Sequence, residues 1–214
     1  LKKIKMKRIL LSIVLGVTVS GFSQLYDQTA NDNGSGIVSN YYTDLDTVVT
    51  SADDFTVVAG DIWDVTSVTV HGFRNGTGAN MTSVAVEIFA DNGGMPGASL
   101  YTETFTVNIP APQSDTGLVF NIPTLNLTEG TYWLAATGYA PGSGRWNWAA
   151  VGGSNGAGAM LIDVDDYFGA GATNWTALTG LGLTFSELRF AIGGDRFVVG
   201  VEENQLEDLT IFPN

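Results

Sequence analysis

Arg145-Trp146-Asn147-Trp148 is the first stretch whose residue types and spacing can do chemistry. In an extended strand, side chains two apart share a face, so Trp146 and Trp148 stand side by side. If exposed, two such rings stack on the apolar faces of sugars, with Arg145 and Asn147 orienting hydroxyls. Tryptophans in β-proteins more commonly bury, so a core reading of the same pair stands beside this one. A second constellation is Asp163, Asp165 and Asp166 at a strand end, with Asp44, Asp46, Asp53 and Asp54 as further loop acids. Calcium takes about six to eight oxygens, chiefly carboxylates and loop carbonyls, which makes these three the candidate ligands of a structural Ca2+. Alternation puts Asp163 and Asp165 on one face, but the spacing is not that of an EF-hand. Solvated turn aspartates are the commoner outcome.

Signals for catalysis are sparse. Glycoside hydrolysis needs two carboxylates across a cleft, and Glu87 and Glu103 are candidates that no pattern singles out. His71 is the one histidine; no Gly-x-Ser-x-Gly elbow accompanies it, and there is no cysteine. That scarcity of imidazole and thiolate also argues against a transition-metal site. The glycine-rich run Gly152 to Gly158 lacks the lysine of a phosphate-binding loop. The chain reads as non-catalytic.

The elements that must position these residues are strands. Met81 to Val107 reads strand, turn, strand. Val84, Val86 and Ile88 alternate with Ala85, Glu87 and Phe89, Asp91-Asn92-Gly93-Gly94 breaks the run, and Tyr101, Glu103, Phe105 and Val107 resume it. Such a hairpin needs a second layer over its apolar face. Asp53 to Val58, Trp63 to Phe73, Leu118 to Ile122, Thr131 to Thr137, Arg145 to Val151, Met160 to Val164 and Leu188 to Ile192 are further strands. Gly60-Asp61 and Glu129-Gly130 read as turns between them, and Asn108 to Asp115 as a loop or edge because of Pro110 and Pro112. Along Trp63 to Phe73, strict alternation sets Val65, Ser67, Thr69 and His71 on one face and Thr66, Val68, Val70 and Gly72 on the other. An edge strand is expected over Gly36 to Tyr42. No stretch has a helical period, and the expected fold is all-β: a single antiparallel β-sandwich of jelly-roll type.

The ends set the compartment. Lys2, Lys3, Lys5, Lys7 and Arg8 precede the apolar run Ile9 to Val19, with Gly21 and Ser23 at −3 and −1 of a cleavage before Gln24. Residues 1–23 therefore read as a secretory signal peptide, too short in its apolar core for a membrane-spanning helix. Cleavage there leaves four arginines, Arg74, Arg145, Arg189 and Arg196, against 22 acids, a net −18. So acidic a surface repels nucleic acid and anionic membranes. Residues 24–198 form the expected sandwich domain, 199–206 a linker, and 207–214 a separate terminal segment. Without disulfides, a secreted domain of this size must be held by its core.

Two stretches carry a family resemblance. Phe89-x-Asp91-Asn92-Gly93-Gly94-x-Pro96-Gly97-x-x-Leu100 and Leu125-x-Leu127-x-x-Gly130-Thr131-Tyr132-Trp133-Leu134, preceded by Asp53-Asp54-Phe55, resemble extracellular bacterial choice-of-anchor β-sandwich domains. The resemblance covers about Asp53 to Thr137, is structural, and brings no catalytic residues. Glu207 to Asn214, with Leu209, Ile211, Pro213 and Asn214, is similar to the opening of the C-terminal sorting domain of type IX secretion cargo in Bacteroidetes. That resemblance implies contact with the type IX export machinery, then release or display at the cell surface. The combined expectation is a secreted module that binds an extracellular glycan or protein. A structural or adhesion spacer and a polysaccharide hydrolase are the alternatives. Exposed tryptophans favour the module, buried ones the spacer, and a carboxylate pair in a cleft the hydrolase.

Overall fold

A computed structural model describes residues 23–153 and 156–198. The expected leader (save Ser23), linker and sorting-domain start lie outside the described residues. Twelve strands run in chain order: β1 (Ser23–Asp27), β2 (Asp32–Val38), β3 (Asn40–Tyr42), β4 (Thr47–Arg74), β5 (Met81–Asp91), β6 (Pro96–Ile109), β7 (Gln113–Ala140), β8 (Trp146–Val151), β9 (Met160–Ile162), β10 (Thr176–Ala177), β11 (Glu187–Leu188) and β12 (Phe190–Val198). The only helical turns among the described residues are 3-10 turns at Gly142–Gly144 and Leu178–Leu181. No helix among them is long and apolar enough to cross a membrane. The expected all-β class is what the structure has.

All twelve strands belong to one hydrogen-bonded sheet with main path β1-β12-β4-β3-β7-β5-β6. β8 joins β2, β11 and the end of β4, while β9 pairs with β4 and β10. Pairing is antiparallel except between β3 and β7, which run parallel over Asn40–Tyr42, so the expectation of a purely antiparallel sheet is corrected there. The sheet curls: Val49, Phe55 and Val57 from the first half of β4 and Val65, Val68 and Val70 from its second half share one core cluster. Val84, Val86 and Ile88 of β5 enter the same cluster, as their alternation requires. The β5–β6 turn is closed by Asn92 N–H donating to the Met95 carbonyl at 2.9 Å and Gly94 N–H donating to the Asp91 carboxylate. Gly93 and Gly94 have φ of +68° and +85°, which a side chain would strain.

The expected turns at Gly60-Asp61 and Glu129-Gly130 do not reverse the chain. β4 and β7 pair along nearly their whole length, and these two signals face each other across the ladder. Val57 pairs with Gly130 and Ile62 with Thr128, so four residues of β4 oppose the single Glu129. Gly60 N–H donates to the Glu129 carboxylate at 3.0 Å. The result is a wide bulge that bends both strands and keeps them paired. A second slip, between Val65 and Ser67, lies opposite Pro123, whose missing N–H cannot join a ladder. It moves Val65 to the inner face with Val68 and Val70, while Thr66 and Ser67 are both only half-buried, which corrects the strict alternation expected for this strand.

Candidate functional site

The proposed stacking platform faces inward. Trp146 is 1% exposed and Trp148 0%, their ring centroids 6.3 Å apart inside the core. Glycines seat the Trp146 indole: a Cβ on Gly72 would stand 2.4 Å from its ring, and one on Gly138 2.8 Å from its Cβ. Trp148 Nε1–H donates to the Arg189 carbonyl at 2.9 Å, which satisfies its one polar atom. Of the two readings of the pair, the core reading is the one the structure has, and the stacking platform at Trp146 and Trp148 is corrected: every residue of β8 is buried, with β2, β4 and β11 paired along it. Trp63 and Trp133 are buried as well, and Trp175 is half-buried against Phe89.

The three candidate calcium ligands are already occupied with turn hydrogen bonds. Asp163, 1% exposed, accepts the backbone N–H of Tyr167 and of Phe168, both at 2.9 Å, one on each carboxylate oxygen. Asp165 accepts the Thr47 hydroxyl at 2.7 Å. Asp166, at φ +49°, accepts Gly171 N–H at 2.7 Å. Asp163 and Asp166 thus hold the 163–171 loop from within, and Asp165 ties it to Thr47 at the start of β4. No cluster of three or more acids or imidazoles suited to a metal ion occurs among the described residues, so Asp163, Asp165 and Asp166 do not fit a Ca2+ site. Glu87 pairs across the hairpin with Thr102, and Glu103 with the inward Val86, so the two glutamates are on opposite faces of the sheet and share no cleft.

Two concavities bear on the candidate residues. The larger, about 560 Å³, is lined by Asp32, Ser35, Phe73, Asn75, Gln113 and Asp115 among others. It is built where the end of β4, the start of β7 and β2 meet. Phe73 is half-buried and lies over Gly36, where a Cβ would meet its ring at 2.7 Å and the Trp148 carbonyl at 2.4 Å. Arg74, 1% exposed, anchors the rim without any acid: its guanidinium donates to the carbonyls of Gly144 (2.7 Å), Ala79 (2.7 Å) and Ile109. Asp115 binds Arg189, which also lies 3.5 Å from Asp32 and donates to the Thr29 carbonyl at 2.6 Å. His71 Nδ1 is 3.6 Å from the other Asp115 oxygen, which is buried and makes no hydrogen bond. Burial and the Arg189 charge hold the imidazole below its ordinary value, against the pull of Asp115.

The smaller concavity, about 260 Å³, brings together Arg145, Asn147 and Asp163, three of the sequence candidates, with Ile37, Val38, Leu161, Phe168, Leu181 and Leu183. Arg145 is exposed, and its guanidinium carbon is 5.6 Å from the Phe168 ring centre. Asn147 is 5% exposed, and its Nδ2 has no hydrogen-bond partner. Nearby, the Tyr42 hydroxyl is buried; burial raises its pKa, and the charge and hydrogen-bonding reach of Arg145 partly offset this.

A third group of acids is structural. Asp53 is fully buried and accepts Gln28 Nε2–H (2.8 Å), Leu188 N–H (2.6 Å) and Asp54 N–H (2.9 Å). Burial, and next the neighbouring Glu187, push its carboxyl well above the usual range. Asp54 accepts the N–H groups of Ala157 and Gly158 and pins the glycine-rich loop.

Sequence reasoning missed Phe73, Asn75 and Gln113, which lie in strand ends and a loop distant in the chain. The one local hint is Gly36, whose missing side chain admits the Phe73 ring. The chain matches no protein-family model and no curated protein.

Proposed function

We propose that this chain is a secreted or surface-displayed, non-catalytic module that binds an extracellular glycan along the groove over Phe73. The observation that carries the reading is the composition of that groove. One half-buried aromatic ring lies among Asp32, Ser35, Asn75, Gln113 and Asp115, planar and hydroxyl groups that can donate and accept. A sugar needs an apolar platform for its C–H face and paired donors and acceptors for its hydroxyls. The groove also has the size of a small-ligand site, typically about 300–1,000 Å³. The expected choice-of-anchor likeness and type IX export belong to the same proposal, and they account for the acid-rich surface of an exported β-protein.

A second reading, a structural or adhesion spacer, draws its support from the burial of Trp63, Trp133, Trp146 and Trp148. A pull-down of the full chain on a panel of insoluble polysaccharides separates the two. Retention on one glycan, lost in Phe73→Ala and weakened in the exposed Asn75→Ala with melting unchanged in the latter, supports the module. No retention on any glycan, or retention indifferent to both substitutions, overturns it in favour of the spacer.

A further inference from the structure

We propose that the pocket beneath Arg145 is a second, separate binding site, for a small organic monocarboxylate with an apolar body. Its carboxylate is held between the Arg145 guanidinium and Asn147 Nδ2. The first observation is the charge inventory. Arg74 is spent on three carbonyls, Arg189 on Asp115 and Asp32, and Arg196 on Asp61 at 2.6 Å. Arg145, like Arg74, forms no salt bridge among the described residues, but unlike the buried Arg74 it is exposed and has no carbonyl triad to hold it, although acids exceed bases 22 to 9 in the chain. It is held over Phe168, at a wall of the pocket, by the attraction of a cation to a ring face.

The second observation is independent. Asn147 Nδ2 is a buried donor with nothing to donate to, on a side chain that lines the same pocket. A buried donor left unmade is costly, and a ligand oxygen placed there would satisfy it. The remaining wall is Ile37, Val38, Leu161, Leu181 and Leu183, which takes hydrocarbon. Asp163 is the one acid in the wall, and both of its oxygens already accept backbone N–H groups. The pocket therefore offers donors at one place and apolar surface elsewhere.

That pattern selects the ligand. A sugar would leave most of its hydroxyls unpaired against leucine and isoleucine, which is unfavourable. A phosphate dianion would need more compensating charge than one arginine supplies. A carboxylate matches the planar guanidinium and has a second oxygen for the amide. The volume of about 260 Å³ limits the body to a single ring or a short chain.

Isothermal titration of the full chain with benzoate, benzamide and benzylamine tests the assignment, with hexanoate as a second acid. Benzoate and hexanoate are expected to bind with dissociation constants on the order of 1 mM, well short of the ceiling for ligands of so few atoms. Arg145→Met, at an exposed position, is expected to weaken both about tenfold or more with melting unchanged. Asn147→Asp, nearly isosteric, is expected to abolish binding by placing a second negative charge against the carboxylate. Benzamide binding as well as benzoate, benzylamine binding in their place, benzoate binding unaffected by Arg145→Met, or no binding by any probe would each overturn the proposal. Glycan retention through the Phe73 groove is expected to be untouched by Arg145→Met, so this site and that one fail separately.

Discussion

The groove over Phe73 and the pocket beneath Arg145 differ in what their arginines are doing. At the groove, Arg74 and Arg189 are consumed by the fold: one ties three carbonyls together, the other locks Asp115 and Asp32 on the groove wall. At the pocket, Arg145 has a ring beneath it and no carboxylate. The groove is polar and its charges are already paired, so it can recognise a neutral polar ligand. The pocket is mostly apolar and its cation makes no salt bridge among the described residues, a setting suited to an anion. The lesson is that an arginine's partners, rather than its presence, separate a structural charge from one available to a ligand.

The largest effect that would sharpen this contrast is expected at Arg74. Arg74→Met leaves the carbonyls of Gly144, Ile109 and Ala79 without their donor, and a loss of roughly 3 kcal/mol or more is expected in urea unfolding. Arg189→Met should cost about 2 kcal/mol by the same measurement, since it unpairs Asp115 and frees the Thr29 carbonyl. Arg145→Met should remain within about 0.5 kcal/mol of the parent chain, as a change at an exposed side chain that makes no salt bridge among the described residues. Equal costs at Arg189 and Arg145 would break the comparison, because Arg145 would then be structural too.

A further prediction concerns the acids. Asp53 has its carboxyl raised in the fold above the ordinary value of 3.8, so the folded chain holds a proton that the unfolded chain releases more readily. Its contribution is fully present below about pH 4 and is lost as pH rises through the folded-state value. Asp53→Asn cannot titrate. The stability gap between the parent chain and this variant should therefore move in the parent's favour as pH falls from 7 toward 4, measured by thermal melts across that range. A gap that does not change with pH would show that Asp53 is not held protonated.

Much of the fold was legible from local pattern. The β5–β6 hairpin, with Val84, Val86 and Ile88 inward and Gly93-Gly94 at the turn, follows from period and turn chemistry alone. Gly60-Asp61 and Glu129-Gly130 were misleading, because a glycine at positive φ permits a reversal and a bulge equally. Which of the two forms depends on whether a partner strand continues alongside, and β4 and β7 supply each other with one. The site was half legible. Arg145 and Asn147 were found, but the tryptophans between and beside them point the other way, into space made by Gly72 and Gly138 from other strands.

The sequence by itself determined that this protein is built of strands, that it has a real core, and that its surface is acidic. Those properties are sums over residues or patterns of period two, and they survive ignorance of which strand lies beside which. Only the tertiary structure decided that Trp146 and Trp148 are core, that Asp163, Asp165 and Asp166 hold loops instead of converging on an ion, and that Arg145 is the arginine left over. Each of these is a question of partners, and partners such as Arg189 for Trp148 or Thr47 for Asp165 lie tens of residues away, brought close by strand pairing that no local window contains.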